Sequence, residues 1–213
     1  TVPYPTGGLS AEKTVRVGDE VRGVEGFLVQ TKAGYRLLPT KAPEFASTNP
    51  RNNTPKAKPD GALRVGSFNV LNFFTGETAA NPFPTRRGAT NANELERQQA
   101  KMIAALSRMD ADVIGLLEVE NNGFDQRSAL ATIVRELNKA LGDNRYAFVK
   151  PEASQGNDAI KVAIIYNQQK LAEAGKAAVT AEGPFAYGSR APLAQTFQAK
   201  TTSTAFTVSI NHF

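Results

Sequence analysis

Four polar residues, Asn69, Glu118, Arg190 and His212, stand at the ends of apolar segments. Asn69 closes Gly66-Ser67-Phe68-Asn69; its amide can donate to a phosphate oxygen or a metal-bound water, or simply start a turn. Glu118 follows Val113 to Leu117. A carboxylate there costs free energy unless it is paired or ligates a cation, and hard divalent ions prefer such oxygens. A salt bridge at a sheet rim is the other reading. Glu120 follows at the same parity. His212 is the sole histidine, and it alternates with Phe206, Val208 and Ile210 on one face of the last strand. It is therefore expected to point inward at the rim. It is either a satisfied core histidine or a proton donor to a developing phosphorane, since histidine changes charge near neutral pH. Arg190 precedes a strand; it is a solvated loop cation or a bidentate phosphate contact.

Around these stand weaker candidates. Arg86 and Arg87 lie in a long loop as solvated cations or phosphate contacts. Asp158 and Lys161 flank the start of another apolar run, and neither declares a role. No phosphate-cradling GxxxxGK[ST], GxSxG or HExxH occurs, which disfavours P-loop, serine-hydrolase and zincin chemistry. With no cysteine there is no disulfide framework and no thiolate nucleophile, and with one histidine a zinc site is poorly supplied. The formal net charge of +5 favours an anionic partner. No run approaches the roughly 18 apolar residues of a membrane-spanning helix, so no membrane partner is expected.

The elements that must position these residues follow from periodicity. Residues 1–45 read as short β structure, with Lys32-Ala33-Gly34 as a hairpin turn before the strand Tyr35–Leu38. Residues 46–62, with Pro50, Pro55 and Pro59 among Asn and Lys, read as a linker. From Leu63 onward the pattern is mixed α and β. Strands are expected over Leu63–Val70, Asp112–Val119, Tyr146–Val149, Ile160–Tyr166, Leu193–Gln198 and Phe206–Ile210. Leu95, Met102, Ile103 and Leu106 fall near a 3.6 period, predicting a helix over Glu94–Met109 with Asn93 and Glu96 as its capping pair. Leu130, Ile133, Val134, Leu137 and Leu141 predict a second helix over Arg127–Leu141, ended by Gly142.

The ordered set GSFNVLNFF, RQQAKMIAAL leading into ADVIGLLEVEN, DAIKVAIIY, SRAPLAQTF and TVSINHF resembles the endonuclease/exonuclease/phosphatase superfamily. Its bacterial extracellular nuclease branch is the nearest likeness. The resemblance runs from Leu63 to Phe213. It implies an α+β fold, a deoxyribonuclease-like four-layer α/β/β/α sandwich, over residues 63–213. On this resemblance Asn69 matches the FNV asparagine and Glu118 the metal-binding glutamate. Arg190 matches the phosphate-contacting arginine and His212 the first catalytic histidine. Asn69 would then also stand near the metal, with Arg86 and Arg87 as further phosphate contacts. The family's later GD-x-N element and terminal D-H pair have no match here, so this stretch alone is expected to be inactive and the sandwich incomplete. Many relatives place an acidic partner for the histidine near Ile160, where the nearest carboxylate is Asp158. The segment VRVGDEVRGVEGFLVQTKAGYRLLPT resembles the end of an OB-like module, a fold that offers a single-strand-binding face.

The resemblance implies a phosphodiesterase acting on nucleic acid, DNA before RNA, with Mg²⁺ or Mn²⁺, or else Ca²⁺, and an extracellular or periplasmic location. The same fold on a phospholipid or inositol phosphate is an alternative, as is a non-catalytic nucleic-acid-binding fragment. A monomer, or a dimer through an unpaired sheet edge, is expected.

Overall fold

The computed structural model describes Gly8 and residues 14–49, 55–78 and 81–213; residues 50–54 of the expected linker lie outside the described residues. Two compact units result, Thr1–Thr54 and Pro55–Phe213.

The first unit contains β1 (Glu20–Val21), β2 (Gly26–Thr31), β3 (Gly34–Pro39) and β4 (Phe45–Ala46). Strands β2 and β3 form the expected hairpin, with Phe27 opposite Leu38 and Leu28 opposite Leu37. Strand β1 pairs separately with β4. Among the described residues these are two two-stranded ladders, and no barrel closes. Phe27, Leu28, Tyr35, Leu37 and Leu38 are all exposed.

The second unit has mixed α and β content. It runs β5 (Val65–Phe73), β6 (Glu77–Thr78), β7 (Asn81–Pro82), α1 (Ala92–Met109), β8 (Val113–Glu120), α2 (Ala129–Leu141), β9 (Tyr146–Phe148) and β10 (Ile160–Asn167). Strands β11 (Leu171–Glu173), β12 (Ala178–Val179), β13 (Arg190–Ala199) and β14 (Ala205–His212) complete it. The first sheet has the order β5-β8-β10-β9, with β5 parallel to β8 and the other pairs antiparallel. In the second sheet β13 pairs with β11, β12 and β14.

Both helices pack on one face of the first sheet. Met102, Ile103 and Leu106 of α1, with Leu130, Ile133 and Leu137 of α2, meet Val70, Ile114, Leu116 and Ile165. The other face meets the second sheet, where Val113, Val162 and Ile164 pack against Leu193, Phe197, Val208 and Ile210. Near-continuous burial along β8 and β10 follows from this covering on both sides. At Gly115 of β8 an added Cβ would overlap the side chain of Ile210. The missing side chain lets β14 cross close over the first sheet.

Helix α1 starts two residues before its expected first turn. Asn91 is extended (φ −157°, ψ 169°), and its Oδ1 accepts from Glu94 N at 3.0 Å. The Glu94 carboxylate reaches back to Thr90 N at 2.8 Å. Asn91 and Glu94 therefore replace Asn93 and Glu96 as the capping pair, and Asn93 lies inside the first turn. Ser128 caps α2, and Gly142 ends it at φ 65° as expected.

Candidate active site

Two neighbouring strands of the first sheet break their two-residue alternation at the same level. On β5, Asn69 pairs with Leu117 and Phe73 with Val119, so β5 holds extra residues between these points. Leu71 and Asn72 absorb them at φ 58° and 51°. On β8, Leu116 pairs with Ala163 and Val119 with Lys161, and the residue accommodated by the bulge is Glu118 at φ 66°. Leu116 and Val119 both face the helix-side core although their parity differs. Bulges of this kind re-aim side chains. Three adjacent non-glycine residues at positive φ each cost about 1–3 kcal/mol and persist only where surrounding contacts hold them.

Those contacts are visible. Asn69 Nδ2 donates to Glu118 Oε1 at 2.8 Å, and Asn72 N donates to Glu118 Oε2 at 3.0 Å. Asn69 Oδ1 accepts from Leu71 N at 2.7 Å, closing a small turn. From α1, Gln98 Nε2 donates to the carbonyl oxygens of Val70 and Leu71 at 2.9 and 2.8 Å. The helix thus clamps the strained turn that faces Glu118. Gly88 lies under the same turn: a Cβ there would come within 2.5 Å of the Asn72 carbonyl oxygen.

The second sheet brings the remaining candidates. Arg190 and His212 are register partners on β13 and β14. His212 Nε2 lies 3.8 Å from Glu118 Oε1, beyond hydrogen-bond reach, and both side chains are less than a fifth exposed. Asp158 does not meet His212 as its acidic partner. Its carboxylate instead lies between two guanidiniums, 3.4 Å from Arg190 Nε and 3.3 Å from Arg87 Nη1. Among the described residues the carboxylate within 4.0 Å of His212 is Glu118. His212 Nδ1 and Asn72 Oδ1 are buried without a hydrogen-bond partner, whereas the buried Arg190 Nε has the Asp158 carboxylate beside it. Such atoms are rare in folded proteins and point to a missing ligand or water.

Asn69, Glu118, Arg190 and His212 are thus brought to one end of the two facing sheets, with Arg87 joined through Asp158. Arg86 is exposed, with its backbone N–H donating to Asn81 Oδ1. Among the described residues no group of three or more His, Asp or Glu side chains could hold a metal together. A single carboxylate with an amide beside it suits an ion that keeps several waters.

Glu120 is a separate structure, 3% exposed. Its carboxylate accepts from Thr75 N, Thr75 Oγ1, Asn81 Nδ2 and Asn122 Nδ2 at 2.8–3.4 Å. Lys161 also stands outside the site. It is 1% exposed, its Nζ donates to Gly123 O at 2.8 Å, and it sits 3.7 Å from the Phe124 ring centroid. Burial pulls its pKa down from 10.5 to about 8. Between those values the unfolded chain holds the extra proton, so this lysine makes stability rise with pH. Denaturation at pH 8 and pH 10 should show a gain of about 2 kcal/mol that Lys161→Met removes; equal gains in both proteins would refute it. Above pH 10 the hydroxyls of the buried Tyr146 and the half-buried Tyr166, pushed up to about 12 chiefly by desolvation, act in the opposite sense.

No family model and no curated protein matches the chain. Solved structures do resemble it. The match to the human Nocturnin catalytic domain with bound sulfate anion covers 71% of this chain and 49% of that one, at 17% identity and a TM-score of 0.45. The match to ANGEL2, a 2′,3′-cyclic phosphatase, covers 71% and 40%, at 17% identity and 0.47. An endonuclease/exonuclease/phosphatase family protein from Bacteroides thetaiotaomicron matches over 71% and 50%, at 15% identity and 0.42. The chain spans half or less of the length of these structures.

Three contributors escaped the sequence reading: Gln98, Asn72 and the link between Arg87 and Arg190. Gln98 carried a faint signal, as a polar residue on the apolar face of α1, three after Leu95 and four before Met102. Asn72 carried none beyond its place in a loop.

Proposed function

We propose that this chain carries the metal- and phosphate-binding part of a phosphodiesterase site whose substrate is nucleic acid, DNA foremost. The observation that carries the proposal is the meeting of Glu118, held by Asn69 and Asn72, with His212 3.8 Å away and Arg190 beside it. Glu118 and Asn69 would hold the ion. Mg²⁺ or Mn²⁺ suits one carboxylate with retained waters better than Ca²⁺, which takes six to eight oxygens. Once bound, the ion would offset charge gathering on the phosphoryl oxygens.

The chain's own groups do the rest. The Arg190 guanidinium, its Nε held 3.4 Å from Asp158 Oδ2, would donate its other N–H groups to a phosphate oxygen, bonds that strengthen as charge develops. His212 Nε2 stands where it can donate to the same phosphoryl group or pass a proton to the leaving oxygen. Asn69 and Asn72 keep the Glu118 carboxylate in one orientation. The net charge of +5 supports a polyanionic substrate.

Supercoiled plasmid incubated with Mg²⁺ or Mn²⁺ tests this, using the chain and the full product of its gene. Metal-dependent nicking should fall by about 10²–10⁴-fold in His212→Ala. If neither protein cuts DNA or RNA, the nuclease proposal fails. Turnover of sphingomyelin or an inositol phosphate under the same conditions would replace its substrate.

A further inference from the structure

Beside Asn69 the second unit opens into a cleft of about 620 Å³, walled by the strained turn of β5 and by the exposed face of α1. Phe68 and the exposed Leu71 contribute apolar surface to it, and Arg87, Arg97 and Lys101 supply cations. Arg97 and Lys101 are four residues apart and so share one helix face. Among the described residues neither is engaged in an ion pair. The one carboxylate lining the cleft, Glu94, accepts from Thr90 N and Thr90 Oγ1 at 2.8 and 2.6 Å and also feels the charge of Arg97. Arg97 and Lys101 therefore stand outside any ion pair, over apolar floor, with Arg97 partly offset by Glu94. The cleft is continuous with the Glu118 site: Asn69 and Asn72 belong to both, and Arg87 reaches Arg190 through Asp158.

We infer that this cleft holds the unpaired nucleotides on one side of the scissile phosphodiester, with Arg97 and Lys101 on successive phosphates and bases against Phe68 and Leu71. A positively charged track beside an aromatic and apolar floor is the chemistry that binds a single strand. In a duplex the base faces are stacked away from such a floor, so an unpaired strand is the occupant. The inference rests on the phosphodiesterase proposal, because the adjoining Glu118 site is what makes a nucleotide strand the expected ligand.

The test is anisotropy of a fluorescent oligothymidylate with the whole chain in EDTA, over a salt series. Single-strand affinity falls with salt with a slope of about 0.7 per phosphate contact. Arg97→Ala/Lys101→Ala should flatten that slope by about 1.4. The wild-type advantage should then shrink about sevenfold between about 50 and 200 mM salt. Both positions are exposed, so the variant should melt with the wild type. Arg108→Ala/Lys139→Ala, with the same charge loss in the last turns of α1 and α2, should leave the slope unchanged. An unchanged slope in the cleft variant, with metal-dependent cleavage intact when the same substitutions are made in the full gene product, overturns the cleft and leaves the phosphodiesterase proposal standing. Loss confined to duplex DNA, or to vesicles of anionic lipid, also overturns it. If neither the chain nor the full product of its gene binds or cuts any nucleic acid, both fall together.

Discussion

Glu118→Gln is expected to abolish Mn²⁺ binding and to reduce metal-dependent cleavage by roughly 10³-fold, while destabilising the fold by only about 1–2 kcal/mol. Glu118 is the one carboxylate in contact with both Asn69 and Asn72, and its two oxygens face two N–H donors at 2.8 and 3.0 Å. A glutamine has the same shape but one oxygen, so it satisfies only one of those donors and turns its own NH₂ toward the other. That mismatch accounts for the modest loss of stability. Removing the charge deletes the anionic ligand that a hard divalent ion requires. Mn²⁺ titration followed by electron paramagnetic resonance, together with plasmid nicking and a denaturation curve, separates the two effects. A variant that still binds Mn²⁺ and still cuts would sink the assignment of Glu118 as metal ligand.

The order of elements was legible because it depends on local signals. The apolar stripe of α1, the glycine after α2 and the unbroken apolar runs of β8 and β10 each report burial within one segment. His212 was legible as inward-facing because β14 keeps strict alternation from Phe206 onward. Alternation failed where the site is built. Reading β8 with a period of two placed Glu118 and Glu120 alike, whereas the bulge at Glu118 gives the two carboxylates different surroundings. On β5 the turn at Leu71 and Asn72 contradicts the preferences of a leucine that is 73% exposed. The Gln98 clamp from a distant helix and the Asn72 bond to Glu118, added to the local Asn69 turn, account for its persistence. Strain imposed by tertiary contacts leaves no mark in the segment that bears it. Asp158, the nearest carboxylate to the position where relatives place the histidine's partner, is presented by the fold to two arginines instead.

Glu120→Ala should have the opposite profile to Glu118→Gln: a loss of about 3–5 kcal/mol of stability, whatever its effect on cleavage. Glu120 sits at 3% exposure, and its carboxylate gathers four donors from three separate segments: Thr75 after β5, Asn81 in β7 and Asn122 after β8. Truncation leaves those donors facing a cavity, and each unsatisfied buried donor costs about 1–3 kcal/mol. Part of that loss is recovered as water enters, which keeps the total near the single-site range for a broken buried polar network. Asn122 also holds the start of α2, through Oδ1 accepting from Ala129 N at 3.0 Å, so the loss should spread into the 121–128 loop. Glu120→Gln, which keeps one acceptor, should fall between wild type and alanine. Urea denaturation of the three proteins, with hydrogen exchange at Thr75 and Ala129, measures both the size and the spread. If Glu120→Ala unfolds at the wild-type midpoint but no longer binds Mn²⁺, then Glu120 rather than Glu118 is the ligand. The divided roles assigned to these two carboxylates would then have to be exchanged.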